Sequence, residues 1–268
     1  MGLGIDFIYR LVCWIAFYIQ LALFLQCVLL ASAVGIAVSP LLRLVRRQSA
    51  VNWVGAQAMR ILTEHVLGIT VEIEGAENLA RANDRACIIV ANHQSMLDIV
   101  WLAWVFPRRA VIVANMFIRR LPVLGWFMRL GGNLFVKQGD KQSVNALFES
   151  SLRYLEHDRT SIVMFPEGQR NPSESGTLLD FKKGAFFLAY CTHAPIIPIA
   201  VQCTYPLFSW PLMRFRRNCV VRVRVLLPVS TDTLTEEDIP TLIADTRRDI
   251  QKACNTLSAA ARPSPAST

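Results

Sequence analysis

Charge is scarce in this chain. Only 18% of its 268 residues are Asp, Glu, Lys or Arg, against about 25% in ordinary globular proteins, and 53% are hydrophobic. A composition so poor in charge points to a membrane segment or a membrane-facing surface. Acidic residues are the scarcer sign, 20 against 28 Lys and Arg, and the net charge of +8 favours anionic partners. Phospholipid surfaces, phosphorylated metabolites and nucleic acid would all answer to that. The aromatic–basic interleaving that reads single strands is missing outside residues 205–217, so no nucleic-acid partner is expected.

Other signatures are missing too. The 7 cysteines form no Cys-x-x-Cys pair, and their odd number speaks against a disulfide framework. They read as buried, reduced thiols of a cytosol-facing protein. No Gly-x-Ser-x-Gly elbow carries a nucleophilic serine. The 4 histidines are scattered and no His-Glu-x-x-His occurs, so no metal is expected.

What is present begins with an apolar run. Residues 11–39, "LVCWIAFYIQLALFLQCVLLASAVGIAVS", hold no formal charge. As one helix the run would be about 43 Å long, more than the ~30 Å hydrocarbon core requires. It reads as one tilted span or as two shorter membrane-embedded helices broken near Gly35 to Pro40. A signal peptide would be shorter, with a more basic start and a cleavage site. Arg43, Arg46 and Arg47 follow at once, which by the positive-inside rule puts the rest of the chain in the cytoplasm.

After that segment, strand and helix patterns alternate. "VEIEG" (71–75), "ACIIVA" (86–91), "AVIVA" (110–114), "SIVMF" (161–165), "APIIPIAVQ" (194–202) and "VVRVRVLLP" (220–228) read as strands. Helices are expected over 98–105, 143–157, 181–191 and roughly 235–257. The fold class is therefore α/β, a largely parallel sheet flanked by helices, with an N-terminal membrane-embedded helix or helical hairpin. Residues 1–47 form the membrane segment, 48–257 the main domain, and 258–268 a disordered tail.

Two stretches could carry chemistry, and both directly follow a buried strand. "NHQSMLD" places His93 five positions before Asp98. On one helix the two would not share a face, but they meet if His93 sits in the loop and Asp98 in the first helical turn. The carboxylate would then hold one imidazole nitrogen protonated and leave the other free to accept a proton. Without a serine of its own, such a pair suits deprotonation of a substrate hydroxyl. On the pair alone, a helix-capping aspartate and a hydrogen-bonded buried histidine fit equally well. "FPEGQRN" puts Glu167, Gly168 and Arg170 in one turn. Arg170 could clamp a phosphate, Glu167 could orient it or meet a substrate hydroxyl, and Lys182 and Lys183 add cations nearby. Alone, these also read as a surface Glu–Arg pair and a solvated lysine pair. Since both loops leave the same sheet edge, one cleft is expected to hold them.

Together, "NHQSMLD", "FPEGQRN", "FKKGAF" and "APIIPIA", in that order and spacing, resemble the glycerolipid acyltransferases over about residues 70–230. The most similar subgroup is the 1-acylglycerol-3-phosphate acyltransferases. The resemblance implies that His93 is a general base oriented by Asp98, and that Glu167, Gly168, Arg170 and neighbouring cations bind the acceptor's phosphate. It also implies an acyl thioester donor, acyl-CoA or acyl carrier protein, with no further cofactor. The implied partners are lysophosphatidic acid and a lipid membrane, of the endoplasmic reticulum or a bacterial inner membrane. The chain departs from the family pattern in three places. Gln169 replaces a threonine, Met116 and Phe117 stand at a usual Lys-Glu, and Gln138 replaces an arginine, leaving Lys137 as the nearest cation. These fall on acceptor-binding positions, so glycerol-3-phosphate or another lysophospholipid is an alternative acceptor. A non-catalytic lipid-binding protein is the alternative of a different class.

Overall fold

The computed structural model describes residues 2–80 and 85–261. Its nine strands are β1 (Ile69–Glu74), β2 (Ile88–Ala91), β3 (Ala110–Asn115), β4 (Leu134–Val136), β5 (Ser161–Met164), β6 (Ile196–Val201), β7 (Phe208–Ser209), β8 (Arg214–Phe215) and β9 (Cys219–Val225). Seven of them form one sheet in the order β1-β9-β6-β2-β5-β3-β4. β6, β2, β5, β3 and β4 run parallel, β9 is antiparallel to β6, and β1 follows β9. β7 and β8 make a separate small hairpin.

The helices are α1 (Gly2–Leu44), α2 (Ala50–Leu62), α3 (Asp98–Val105), α4 (Leu124–Leu130), α5 (Lys141–Glu156), α6 (Gly184–Thr192) and α7 (Ile239–Ala260). They cover both sheet faces. In the parallel strands alternate side chains point to opposite faces. Ile89, Val163 and Ile197 meet Phe17, Phe24, Met59 and Trp101 on the face of α1 to α3. Ile88, Ile162 and Ile196 meet Leu155, Phe186 and Leu257 on the face of α5 to α7. Burial on both faces explains why these strands are continuous apolar runs rather than alternating ones.

Of the two forms open to the apolar N-terminal run, the structure has the single helix, unbroken between Gly35 and Pro40. Pro40 cannot donate to the Ile36 carbonyl, and the Ser39 hydroxyl donates to it instead at 2.9 Å. α1 also does not stand alone. Phe17, Phe24, Cys27, Val28, Ala31 and Ser32 are buried along one side. The Phe17 ring stacks on Phe208 of the hairpin with centroids 6.1 Å apart, and Phe24 lies 5.8 Å from Phe215. Residues 205–217 thus cap the core against α1, while the tip residues Trp210 and Leu212 are exposed.

At the other end, α7 runs three residues into the expected tail. Leu257 is buried, and the Ser258 hydroxyl accepts the Cys203 N–H at 2.8 Å, which fixes this turn to the domain. Residues 262–268 of that tail lie outside the described residues.

Candidate active site

The loop after β2 is polar because its side chains replace a strand's backbone partners. Asn92 makes reciprocal bonds with the backbone of Val201, at 3.1 and 2.9 Å. Gln94 donates to the carbonyls of Val201 and Gln202 and accepts the Thr204 N–H. Both side chains are buried, so each bond also removes the penalty of an unpaired polar atom. The loop is thereby stitched to the carboxyl end of β6.

That stitching presents His93 to Asp98. Asp98 opens α3, and its Oδ2 accepts His93 Nδ1 at 2.7 Å and the N–H groups of Gln94 and Ser95 at 2.8 and 3.0 Å. Its Oδ1 accepts the Trp101 indole N–H at 3.0 Å. With both oxygens occupied and the carboxylate buried, Asp98 has one orientation. The imidazole is held in other ways as well. Its ring stacks on Phe165 with centroids 4.1 Å apart at 20°, and Phe165 meets Trp101 edge to face. The His93 N–H donates to Glu167 Oε1 at 2.8 Å, and its carbonyl accepts the Asn171 N–H at 2.8 Å.

The turn after β5 therefore braces the first loop. Glu167 is buried, and its other oxygen accepts the Leu179 N–H at 2.9 Å. Burial raises its pKa above the ordinary glutamate value, partly offset by the two N–H groups it accepts. Gly168 has φ +71°, a conformation that favours glycine, and the Lys182 side chain packs against its Cα. The Gly168 carbonyl accepts from the Gln138 side chain.

Both loops open on a cavity of about 660 Å³. His93, Gln138, Arg170 and Lys182 line its polar end. The other end reaches between the N-terminal helices, lined by Val28 and Ala31 of α1 and by Ala56 and Met59 of α2. Phe127 closes part of that end. Its ring wedges between Gly35 and Gly55, where an added Cβ would come within 2.4 and 2.5 Å of it.

A family model described as "Acyltransferase" matches residues 70–202, the span holding both loops. The 1-acyl-sn-glycerol-3-phosphate acyltransferase of Saccharomyces cerevisiae is 36% identical over 205 residues, 76% of this chain and 66% of that protein. The human 1-acyl-sn-glycerol-3-phosphate acyltransferase beta is 31% identical over 230 residues, 85% of this chain and 79% of that one. The chain belongs to this acyltransferase family. The fold agrees across nearly its whole length with a crystal structure from Thermotoga maritima, the 1-acyl-sn-glycerophosphate (LPA) acyltransferase PlsC. That match has a TM-score of 0.70 at 23% identity and covers 96% of this chain and 98% of the other.

Within the acyltransferase site, the expected residues divide into two groups. His93, Asp98, Gly168, Arg170 and Lys182 line one cavity. Lys137 and Lys183 are exposed and do not line it. Lys137 faces Asp140 at 3.9 Å, and Lys183 stands just before α6. Glu167 is not among the lining residues, and its two oxygens accept the backbone N–H groups of His93 and Leu179. Trp101, Phe165 and Phe127 were not visible as site residues, since aromatics in apolar runs read as core. The surrounding thiols are inert by comparison, with burial pushing Cys87 up to about 11 and Cys254 up to about 12.

Proposed function

We propose that this acyltransferase moves an acyl chain from an acyl thioester, acyl-CoA or acyl carrier protein, to the free hydroxyl of 1-acylglycerol-3-phosphate. The product would be phosphatidic acid. One observation supports this most: a single cavity joins the His93–Asp98 pair and two cations at one end to an apolar space between α1 and α2 at the other. Such a cavity suits an amphiphile, with phosphate near Arg170 and Lys182 and acyl carbon in the apolar part.

The chemistry follows from the fixed tautomer. Nδ1–H donates to Asp98, so Nε2 accepts the proton of the acceptor hydroxyl as its oxygen attacks the thioester carbonyl. The tetrahedral intermediate then expels the thiolate, which takes the proton from the imidazolium and leaves as thiol. A thioester is already activated, so no covalent nucleophile, metal or further cofactor is needed. A positioned base contributes about 10²–10⁴-fold, and holding two large substrates together contributes much of the rest.

The alternative acceptors, glycerol-3-phosphate or another lysophospholipid, draw on a specific observation. Gln138 stands where the resemblance calls for an arginine and bonds the Gly168 carbonyl, while Lys137 turns to Asp140. The acceptor end of the cavity therefore presents two cations, Arg170 and Lys182.

The same reading seats the protein on a membrane, with its catalytic domain in the cytoplasm. α1 is long and apolar enough to cross a bilayer. Its contacts with the domain extend from Phe17 to Gly35, about 27 Å of helix. A helix docked lengthwise on a charged domain cannot cross without taking the domain with it. Its outer face, including Trp14, Ile15, Tyr18, Leu25 and Leu30, is exposed, and so are Trp210 and Leu212 on the hairpin. We read α1 as lying in the membrane interface, apolar face down, with the cavity opening beside it.

The test is acyl transfer by purified protein in detergent, with labelled acyl-CoA and a panel of lysophospholipids and glycerol-3-phosphate. Labelled phosphatidic acid from 1-acylglycerol-3-phosphate, at the highest kcat/KM of the panel, is the expected result. A higher value for another acceptor would replace that assignment, and no transfer to any would remove the enzymatic reading.

A further inference from the structure

The chain's charge is distributed unevenly in a way the active site does not use. No acidic residue occurs between Asp6 and Glu64 or between Asp98 and Asp140, whereas these two stretches carry ten arginines and one lysine. They pack together, since α4 contacts both α1 and α2. On this acid-free side, Arg119, Arg120 and Arg129 surround Trp126 in a shallow concavity completed by Met116, Leu121 and Pro122. All three arginines are exposed, Trp126 is 59% exposed, and the adjacent Phe117 is 63% exposed. None of the three is in an ion pair among the described residues.

The concavity is built rather than incidental. Val123, a β-branched residue, is held at φ +58°, a region such residues rarely adopt. It is held there by the closure of α4 onto the preceding turn. A Cβ on Gly125 would come within 2.6 Å of the Arg119 carbonyl and 2.8 Å of that of Ile118. Arg129 Nε donates to the Gly125 carbonyl at 3.3 Å, which sets the third guanidinium at the rim.

Its position indicates the occupant. Phe127, the next residue, is wedged against α1 at Gly35, and the Gln48 side chain donates to the Leu130 carbonyl at 3.0 Å. The concavity thus adjoins the end of α1, where Arg43 and, in the turn that follows, Arg46 and Arg47 are exposed. An aromatic amphiphile ringed by guanidiniums that are in no ion pair among the described residues, beside a membrane-seated helix, matches a bilayer surface of anionic phospholipid. We propose that Arg119, Arg120, Arg129 and Trp126 form a docking site for the phosphate headgroups of anionic bilayer lipids, separate from the acceptor site at Arg170. The proposal rests on the interfacial placement of α1. It adds a second, charge-selective contact that fixes how the domain is rotated on the membrane.

The test uses the full-length protein in phosphatidylcholine vesicles containing brominated phosphatidylcholine or, at equal mole fraction, brominated phosphatidylglycerol. Emission quenched in the wild type and absent from Trp126→Phe belongs to Trp126. Both lipids should quench it, the anionic one more strongly, with a lipid preference of roughly fivefold per arginine engaged. The combined Arg119→Gln, Arg120→Gln, Arg129→Gln variant should lose that preference and still float with the vesicles. Its activity on detergent-dispersed substrate reports that it is folded, and Arg120→Gln alone, with a partial loss, serves if it is not. Equal quenching by the two lipids, or none at Trp126, overturns the proposal. If Trp126 is silent while Trp210 is quenched, the interfacial placement of α1 survives and this site falls. If both are silent, both fall.

Discussion

The loops after β2 and β5 leave the same sheet edge, yet they are held very differently. In the first, the side chains of Asn92, Gln94 and Asp98 are fixed by hydrogen bonds, and His93 is gripped at its ring, its N–H and its carbonyl. In the second, Glu167 is as fixed as any of these, but Arg170, three residues on, is exposed and in no ion pair among the described residues. The difference fits the two tasks proposed for these loops. A base must be held at one geometry before the substrate arrives, because its contribution depends on alignment. A cation that clamps a phosphate can close on it after binding, and its unpaired state leaves it available.

The contrast can be broken from either side. The largest effect is expected from Asp98→Asn, which keeps the shape but can turn an amide N–H toward His93 and favour the wrong tautomer. kcat should fall by about 10²–10⁴-fold with the acceptor KM nearly unchanged. Steady-state kinetics on both substrates decides it, and a change confined to KM would move Asp98 out of the proton-transfer step.

Arg170→Ala should act on the other loop. The acceptor KM should rise by about 10–100-fold, as removing a hydrogen bond to a charged group costs about 1.5–3 kcal/mol, with the donor KM little changed. Equal effects on donor and acceptor would deny the phosphate clamp. Trp101→Phe removes the indole N–H beneath Asp98 together with part of a fully buried ring. A drop in kcat of about 5–10-fold, again without a KM change, is expected for a positioning residue. Loss of stability with kcat intact would make Trp101 a packing residue.

The smallest effect concerns pH. Burial raises the folded-state pKa of Glu167 above its unfolded value. Its stabilising contribution is thus complete below the unfolded value and declines as pH rises through the raised folded value. Relative to Glu167→Gln, which cannot ionise, the wild type should lose melting temperature as pH rises from about 4 to 7. A wild type that gains stability on the variant toward neutral pH would refute the burial argument.

Much of this was legible in the sequence. Continuous runs such as "ACIIVA" and "SIVMF" can hardly be anything but buried strands, and parallel strands put their following loops on one edge. That is enough to place His93, Asp98 and Arg170 together. The helix at 98–105 was visible for the same reason. What stayed hidden depends on contacts distant in sequence. Glu167 sits three positions from Arg170, so it reads as that residue's partner, and nothing local shows that its acceptors serve His93 and Leu179. Trp101 and Phe165 look like core until the site is assembled around them. α2 went unassigned beside the long apolar run, and α4 and β4 are too short and too interrupted by Pro122, Gly131 and Gly132 to show a period. The single helix of α1 depended on Ser39 supplying the hydrogen bond that Pro40 could not.

The central claim is that His93 takes the proton from the acceptor hydroxyl. His93→Ala, assayed with acyl-CoA and 1-acylglycerol-3-phosphate at saturation, tests it most directly, alongside flotation with vesicles. The account predicts kcat reduced by at least about 10²-fold with membrane attachment and acceptor binding intact. Turnover within a few-fold of the wild type would contradict it.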